Sequence, residues 1–183
     1  MKIMIASDIH GSAACCEKML ALYNALGAER LLLLGDILYH GPRNDLPNGY
    51  TPKSVAEQLN GIKDKIICVR GNCDAEVDAM VLDFPIMSDY TMLYCDKILF
   101  YATHGHIYGE NRMPCLERGS VLLEGHTHIP KLTEKNGVYC MNPGSVSIPK
   151  GGSTNSVMLY EDRTFKWLDL DGNVYKEFTV PEI

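Results

Sequence analysis

Five of the six histidines in this chain stand in short polar clusters, and each cluster closes an apolar run. Ile3-Met4-Ile5-Ala6 ends in Ser7-Asp8-Ile9-His10-Gly11, Leu31–Leu34 in Gly35-Asp36, and Lys65–Val69 in Arg70-Gly71-Asn72-Cys73-Asp74. Further on, Ile98–Thr103 runs into His104-Gly105-His106 and Val121–Glu124 into Gly125-His126-Thr127-His128. Asp8, His10, Asp36, Asn72, His104, His126 and His128 are therefore candidate metal ligands at strand ends. Imidazole combined with carboxylate suits borderline divalent ions such as Mn, Fe, Co, Ni or Zn better than Ca, which prefers all-oxygen shells. Seven donors exceed one tetrahedral shell; they fit two ions sharing a carboxylate, about 3.5–4 Å apart. Two divalent ions, offset by two aspartates and a bridging hydroxide, keep about one positive charge with which to hold an anion such as a phosphate ester.

The elements that must position these residues can be read from the spacing. The first three apolar runs lack alternation, which suits strands buried on both faces. If Asp8 and His10 continue their strand in extended form, their side chains point the same way. Ser12 is a candidate N-cap for a helix with a stripe at Cys15, Met19, Leu22 and Leu26, stopped by Gly27. Pro52–Leu59 reads as a second helix and Glu76–Leu82 as a third. Strands alternating with helices predict a parallel sheet, whose sites form at the carboxyl ends of the strands. From Tyr90 onward the pattern becomes strands joined by short turns, at 91–95, 98–103, 121–124, 132–135, 138–141, 156–160, 165–170 and 174–179. Asp96-Lys97, Asn136-Gly137 and Asp171-Gly172 are the expected tight turns. The expectation is one α/β domain over residues 1–183, a pair of mixed sheets flanked by helices.

Bulk properties narrow the partners. With 23 acidic against 17 basic residues and a formal charge of -6, neither duplex nucleic acid nor an anionic membrane is an expected partner. The seven cysteines include no C-x-x-C and sit largely in apolar runs, the pattern of reduced thiols. No leader or membrane-spanning stretch is apparent, so a cytoplasmic protein is expected. An exposed sheet edge would favour a homodimer.

Taken in order, the motifs D-x-H, G-D, G-N-C-D, H-G-H and G-H-T-H resemble the calcineurin-like metallophosphoesterase superfamily. The strings H-G-P-R-N (40–44), V-R-G-N-C-D (69–74) and N-P-G-S-V-S-I-P-K-G-G (142–152) resemble its bacterial phosphodiesterases, and the resemblance spans the chain to about Gly152. It implies a four-layer α/β/β/α sandwich. It also implies one ion held by Asp8, His10, Asp36 and His128 and another by Asp36, Asn72, His104 and His126, with manganese the expected metal. A hydroxide bridging the ions would attack the phosphorus of a small phosphodiester in line. Many members carry histidine where this chain has Cys73. A thiol is a poor general acid near neutrality, so good leaving groups are expected, and His106 and His40 are the candidate proton donors.

Several residues carry two readings. Asp74 either caps the helix expected over Glu76–Leu82 or orients a neighbouring ligand. Arg43 is a phosphate contact or a partner of Asp45; His40 and Asn44 beside it are candidate substrate contacts. Cys73 reads as a packing residue rather than a nucleophile, and Asn142-Pro143-Gly144-Ser145 as a turn lining the site. Alternative functions are a phosphomonoesterase or nucleotide-pyrophosphate hydrolase on the same site, or a non-catalytic scaffold of the retromer-subunit type.

Overall fold

Strand β1 (Ile3–Ala6) is buried at every position because it has a core on each side. Ile3 and Ile5 face a core between two sheets, while Met4 and Ala6 face a core beneath the helices. Strand β2 (Arg30–Leu33) divides its leucines the same way. This explains the unbroken apolar runs. The computed structural model describes residues 1–182.

The first sheet has the order β11-β10-β9-β1-β2-β3, with β1, β2 and β3 (Ile66–Cys68) parallel. Strands β9 (Ser156–Glu161), β10 (Thr164–Asp169) and β11 (Val174–Thr179) extend it antiparallel from β1. The second sheet has the order β4-β5-β6-β8-β7. Its centre, β5 (Ile98–Thr103), β6 (Val121–Leu123) and β8 (Val138–Asn142), is parallel; the edges β4 (Tyr90–Cys95) and β7 (Lys131–Lys135) run antiparallel. Between the sheets pack Leu32, Leu34, Phe100, Leu123, Met141, Tyr160 and Trp167, all shielded from water.

Helix α1 (Ala13–Ala25) begins where Ser12 accepts from the Cys15 N–H at 3.3 Å, and Gly27, at φ 64°, ends its last turn. With α2 (Pro52–Asn60) it covers the first sheet. The outer face of the second sheet, at Tyr101, Leu122, Val138 and Cys140, is covered instead by Tyr108, Met113 and Leu116 of the loop after β5. Thus the fold is two mixed sheets flanked by helices, as expected, with the fourth layer made of loop.

Two local expectations change. The helix expected over Glu76–Leu82 is only a single 3-10 turn, Asp78–Met80. Asp74 does not cap it, because its carboxylate is engaged elsewhere; Asp78 receives the Ala75 N–H instead. The hairpin between β9 and β10 turns on Asp162-Arg163, which has no glycine or asparagine to announce it, yet both residues take positive φ as hairpin turns of the primed type require.

The carboxyl ends of the parallel strands of both sheets meet at one edge of the molecule. Gly71 lies so close to Asp36 there that a Cβ would fall on the Asp36 carboxylate and backbone nitrogen. Gly71→Ala is expected to lower stability by about 1–3 kcal/mol in urea denaturation, since backbone rather than a flexible side chain must give way; an unchanged midpoint would show that the two loops are not locked together.

Candidate metal centre

Among the described residues, ten that are not glycine adopt positive φ, and they fall into two groups. Asp96, Lys97, Asn136, Asp162 and Arg163 form hairpin turns; the others are Asp8, His10, Asp36, His126 and His128. Left-handed backbone at a non-glycine residue costs on the order of 1 kcal/mol, and such strain collects at functional sites. Every such residue outside the hairpins is one of the candidate ligands. The extended geometry expected for Asp8 and His10 is therefore corrected: they converge through left-handed backbone at φ 59° and 48°, not through strand alternation.

Asp8, His10 and His128 form the tighter half of the cluster. Asp8 Oδ1 lies 3.5 Å from His10 Nε2 and 3.2 Å from His128 Nε2, and the two Nε2 atoms are 3.3 Å apart. Each ring's other nitrogen is committed to a carbonyl oxygen: His10 Nδ1 donates to Tyr39 O at 2.7 Å and His128 Nδ1 to Ile148 O at 2.6 Å. A neutral ring so held presents a bare Nε2 lone pair. Two such lone pairs and a carboxylate oxygen at contact distance need a cation or added protons between them. An ion about 2.0–2.2 Å from each of three donors at tetrahedral angles would set them about 3.3–3.6 Å apart, which this set matches. Asp8 Oδ1 is buried with no hydrogen-bond donor of its own, while Oδ2 accepts the His126 N–H at 3.1 Å.

Asp36 links this half to the next. Its Oδ1 accepts the Cys73 N–H at 2.8 Å; its Oδ2 is 3.7 Å from His10 Nε2 and 3.4 Å from His104 Nε2. His104 repeats the pattern, with Nδ1 donating to Leu34 O at 2.7 Å and Nε2 3.0 Å from Asn72 Oδ1. The half-buried His126 stands beside it, ring centres 5.1 Å apart. Asp8, Asp36 and His104 thus form a second group of donors that could hold a divalent ion, beside Asp8, His10 and His128.

The supporting bonds explain the rigidity. Asp74 accepts three backbone N–H groups, from Asp36 and Ile37 at 2.8 Å and from Gly71 at 2.7 Å, which favours the orienting reading over the cap. Ser145 and Ser147 donate to the Asp8 carbonyl at 2.9 and 3.1 Å, and Asn142 donates to Gly125 O at 2.7 Å. The Asn142–Ser145 turn thus ties together the loops carrying Asp8 and His126.

Electrostatics sorts the side chains. Burial opposes ionisation of Asp8, but the facing His10 and His128 rings hold it well below the usual carboxylate range; Asp36 is lowered too, burial being outweighed by His104. Burial likewise disfavours charge on His104, yet Asp36 and Asp8 raise it to about 9, and Asp8 raises His10. His106 and His126 go the other way, lowered by burial and by His104. The shift disfavours the charged form of His106, which weighs against the proton-donor role expected of it. Burial and then Asp36 push the Cys73 thiol up to about 12, so it stays protonated and is no nucleophile.

A cavity of about 430 Å3 opens onto the cluster, lined by Arg43, Asn44, Cys73, Thr127 and Lys150 among others. Arg43 lines this cavity, the place a phosphate contact would occupy. Asn44 lines the cavity while its amide donates to His40 O at 2.8 Å. His40 does not line it; its ring packs between Tyr39 and Tyr50 at 4.8 and 5.1 Å, so neither its substrate contact nor its proton-donor role is supported. Lys150 was not singled out from sequence, since nothing in Pro149-Lys150-Gly151 distinguishes a site lysine from a loop lysine.

The model of the calcineurin-like phosphoesterase superfamily domain matches residues 1–164. The chain belongs to that superfamily. Phosphodiesterase YfcE of Escherichia coli K12 is 50% identical over 156 residues, 85% of each chain. The solved structure of YfcE, a phosphoesterase from E. coli, superposes with a TM-score of 0.96 at 43% identity, covering 99% of this chain and 100% of that one. Vps29 from Entamoeba histolytica, solved with zinc, shares the fold with a TM-score of 0.65 at 20% identity over 99% of this chain and 100% of its own. Membership in the superfamily implies divalent metal ions, and the cluster at the strand ends supplies donors for them.

Because His104 without metal carries a proton below pH about 9 and a ligand imidazole must shed it, metal uptake is linked to proton release. Calorimetric titration at pH 7.5 in buffers of different ionisation enthalpy should report net proton release on metal uptake, with affinity rising as pH climbs toward that value. Metal uptake with no proton released would contradict the assignment of His104.

Proposed function

We propose that this chain is a divalent-metal-dependent phosphodiesterase acting on small phosphodiesters, with manganese the expected ion. The observation that carries the reading is the buried convergence of Asp8, Asp36, His10, His104 and His128, each ring fixed by a backbone carbonyl so that its Nε2 faces the carboxylates. Likeness to phosphodiesterase YfcE at 50% identity supports the same activity class.

In this reading Asp8, His10, Asp36 and His128 hold one ion and Asp36, Asn72, His104 and His126 the other. Such a pair, when bound, lowers the pKa of water and neutralises charge developing on the phosphoryl oxygens. Arg43 and Lys150 on the cavity rim complement a phosphate anion within an acidic protein. Asp74 acts through Asp36 and Gly71 by holding their backbone. With the Cys73 thiol pushed up to about 12 and the charged form of His106 disfavoured by burial, proton donation is weak here, which favours esters whose leaving groups need no proton. That supports diester over monoester or pyrophosphate cleavage. The scaffold reading has only a shared fold behind it, whereas an inert platform has no use for a strained ligand set.

The cysteines are free thiols, which supports a reducing, cytoplasmic setting, and no described helix is long and apolar enough to cross a membrane. Tyr90, Met92 and Tyr94 stand exposed in a row on edge strand β4, which supports homodimer formation along that edge.

Metal-stripped protein should be inactive on bis-(4-nitrophenyl) phosphate and regain turnover with manganese, and Asp36→Ala should reduce it about a hundredfold or more. Failure of Mn, Fe, Co, Ni and Zn alike would defeat the reading, and faster cleavage of 4-nitrophenyl phosphate would favour the monoesterase.

A further inference from the structure

The cavity above the cluster has a neighbour. A trough of about 850 Å3 lies beside it, walled by Leu38, Tyr39, Tyr50, Ala56, Val77 and Val81, and Cys73 lines both spaces. Its walls are continuations of the loops that carry the candidate ligands: Leu38 and Tyr39 follow Asp36 by two and three residues, and Val77 and Val81 follow Asn72 and Asp74. Helix α2 supplies the remaining side through Ala56. The connection is also direct, since the backbone carbonyl of Tyr39 is the group that holds His10 Nδ1.

The lining is apolar where a metallohydrolase pocket for a bare phosphate would be polar. Tyr39, Val77 and Val81 are 42%, 63% and 50% exposed, large apolar side chains left open to water on the trough wall. Charged groups are confined to Lys53, Glu57 and Asp78 among its lining residues. A space of this size and character, opening beside a cationic phosphate cavity, is built for an uncharged apolar or aromatic group attached to a phosphate. A phosphomonoester has nothing to place in it; a diester has a second ester arm.

Building on the phosphodiesterase reading, we propose that this trough binds the non-scissile arm of the substrate, and that the arm is apolar or aromatic. Selectivity would then reside in Tyr39, Val77 and Val81, residues remote from the reacting phosphorus. Contacts to a remote arm are the same in the ground state and the transition state, so the preference should appear in KM rather than in kcat.

Two diesters with the same 4-nitrophenyl leaving group, one with a naphthyl arm and one with a methyl arm, separate the possibilities. With manganese-loaded protein, kcat/KM is expected to favour the naphthyl ester by about tenfold or more, through KM. Val77→Asp and Val81→Asp should each collapse that ratio toward unity; because a ratio is unaffected by the fraction of folded enzyme, loss of protein does not imitate the effect. Equal kcat/KM for the two esters, or a ratio untouched by both variants, would overturn the trough assignment while leaving the phosphodiesterase reading intact. Cleavage of neither ester with any divalent ion would overturn both.

Discussion

Everything at the strand-end edge answers to one constraint: two buried carboxylates and three imidazoles are packed together, with neighbouring donor atoms 3.2–3.7 Å apart and their lone pairs inward. Asp8 and Asp36 are 0% and 2% exposed, so the repulsion between them cannot be relieved by water. Protons relieve part of it, which is why His10 and His104 are raised, but a divalent cation relieves it more completely. The surrounding bonds make sense as the means of holding such a set in place before an ion arrives. Asp74 spends its whole carboxylate on three backbone amides. Ser145 and Ser147 pin the Asp8 carbonyl, and backbone carbonyls fix three rings.

The constraint also explains why the fold is a pair of sheets. Asp8, His10, Asp36 and Asn72 leave strands of the first sheet; His104, His126 and His128 leave strands of the second. Each ion would draw ligands from both, so the site straddles the sheet–sheet packing. The interlocked aromatic core, with Phe100 against Tyr160 and Phe165, therefore fixes the registration of the two half-sites as well as contributing burial. Left-handed backbone at five candidate ligands is sustained only against that rigid background.

Much of this was legible in the chain. The ligand types, their order and their position after apolar runs predicted the cluster, and unbroken Leu31–Leu34 predicted a strand buried on both sides. What was hidden depended on tertiary contact. Asp74 precedes a segment that looks helical, but a carboxylate that reaches three amides from two loops cannot also cap a helix. Lys150 carries no local signal of a site; its N–H bond to His128 O, made after the chain returns from β8, places it at the cavity. His40, beside Arg43 in sequence, is turned away by its contacts with Tyr39 and Tyr50. Asp162-Arg163 forms a hairpin because β9 and β10 pair strongly, not because the dipeptide asks for it.

The central claim is that these side chains surround a pair of ions rather than merely stabilising one another through shared protons. Anomalous scattering from crystals loaded with manganese tests it most directly. Two peaks about 3.5–4 Å apart are expected, one among Asp8, His10 and His128 and one among Asn72, His104 and His126, with Asp36 touching both. A map with no peak there, or a single ion that leaves Asp36 uncoordinated, would contradict the account.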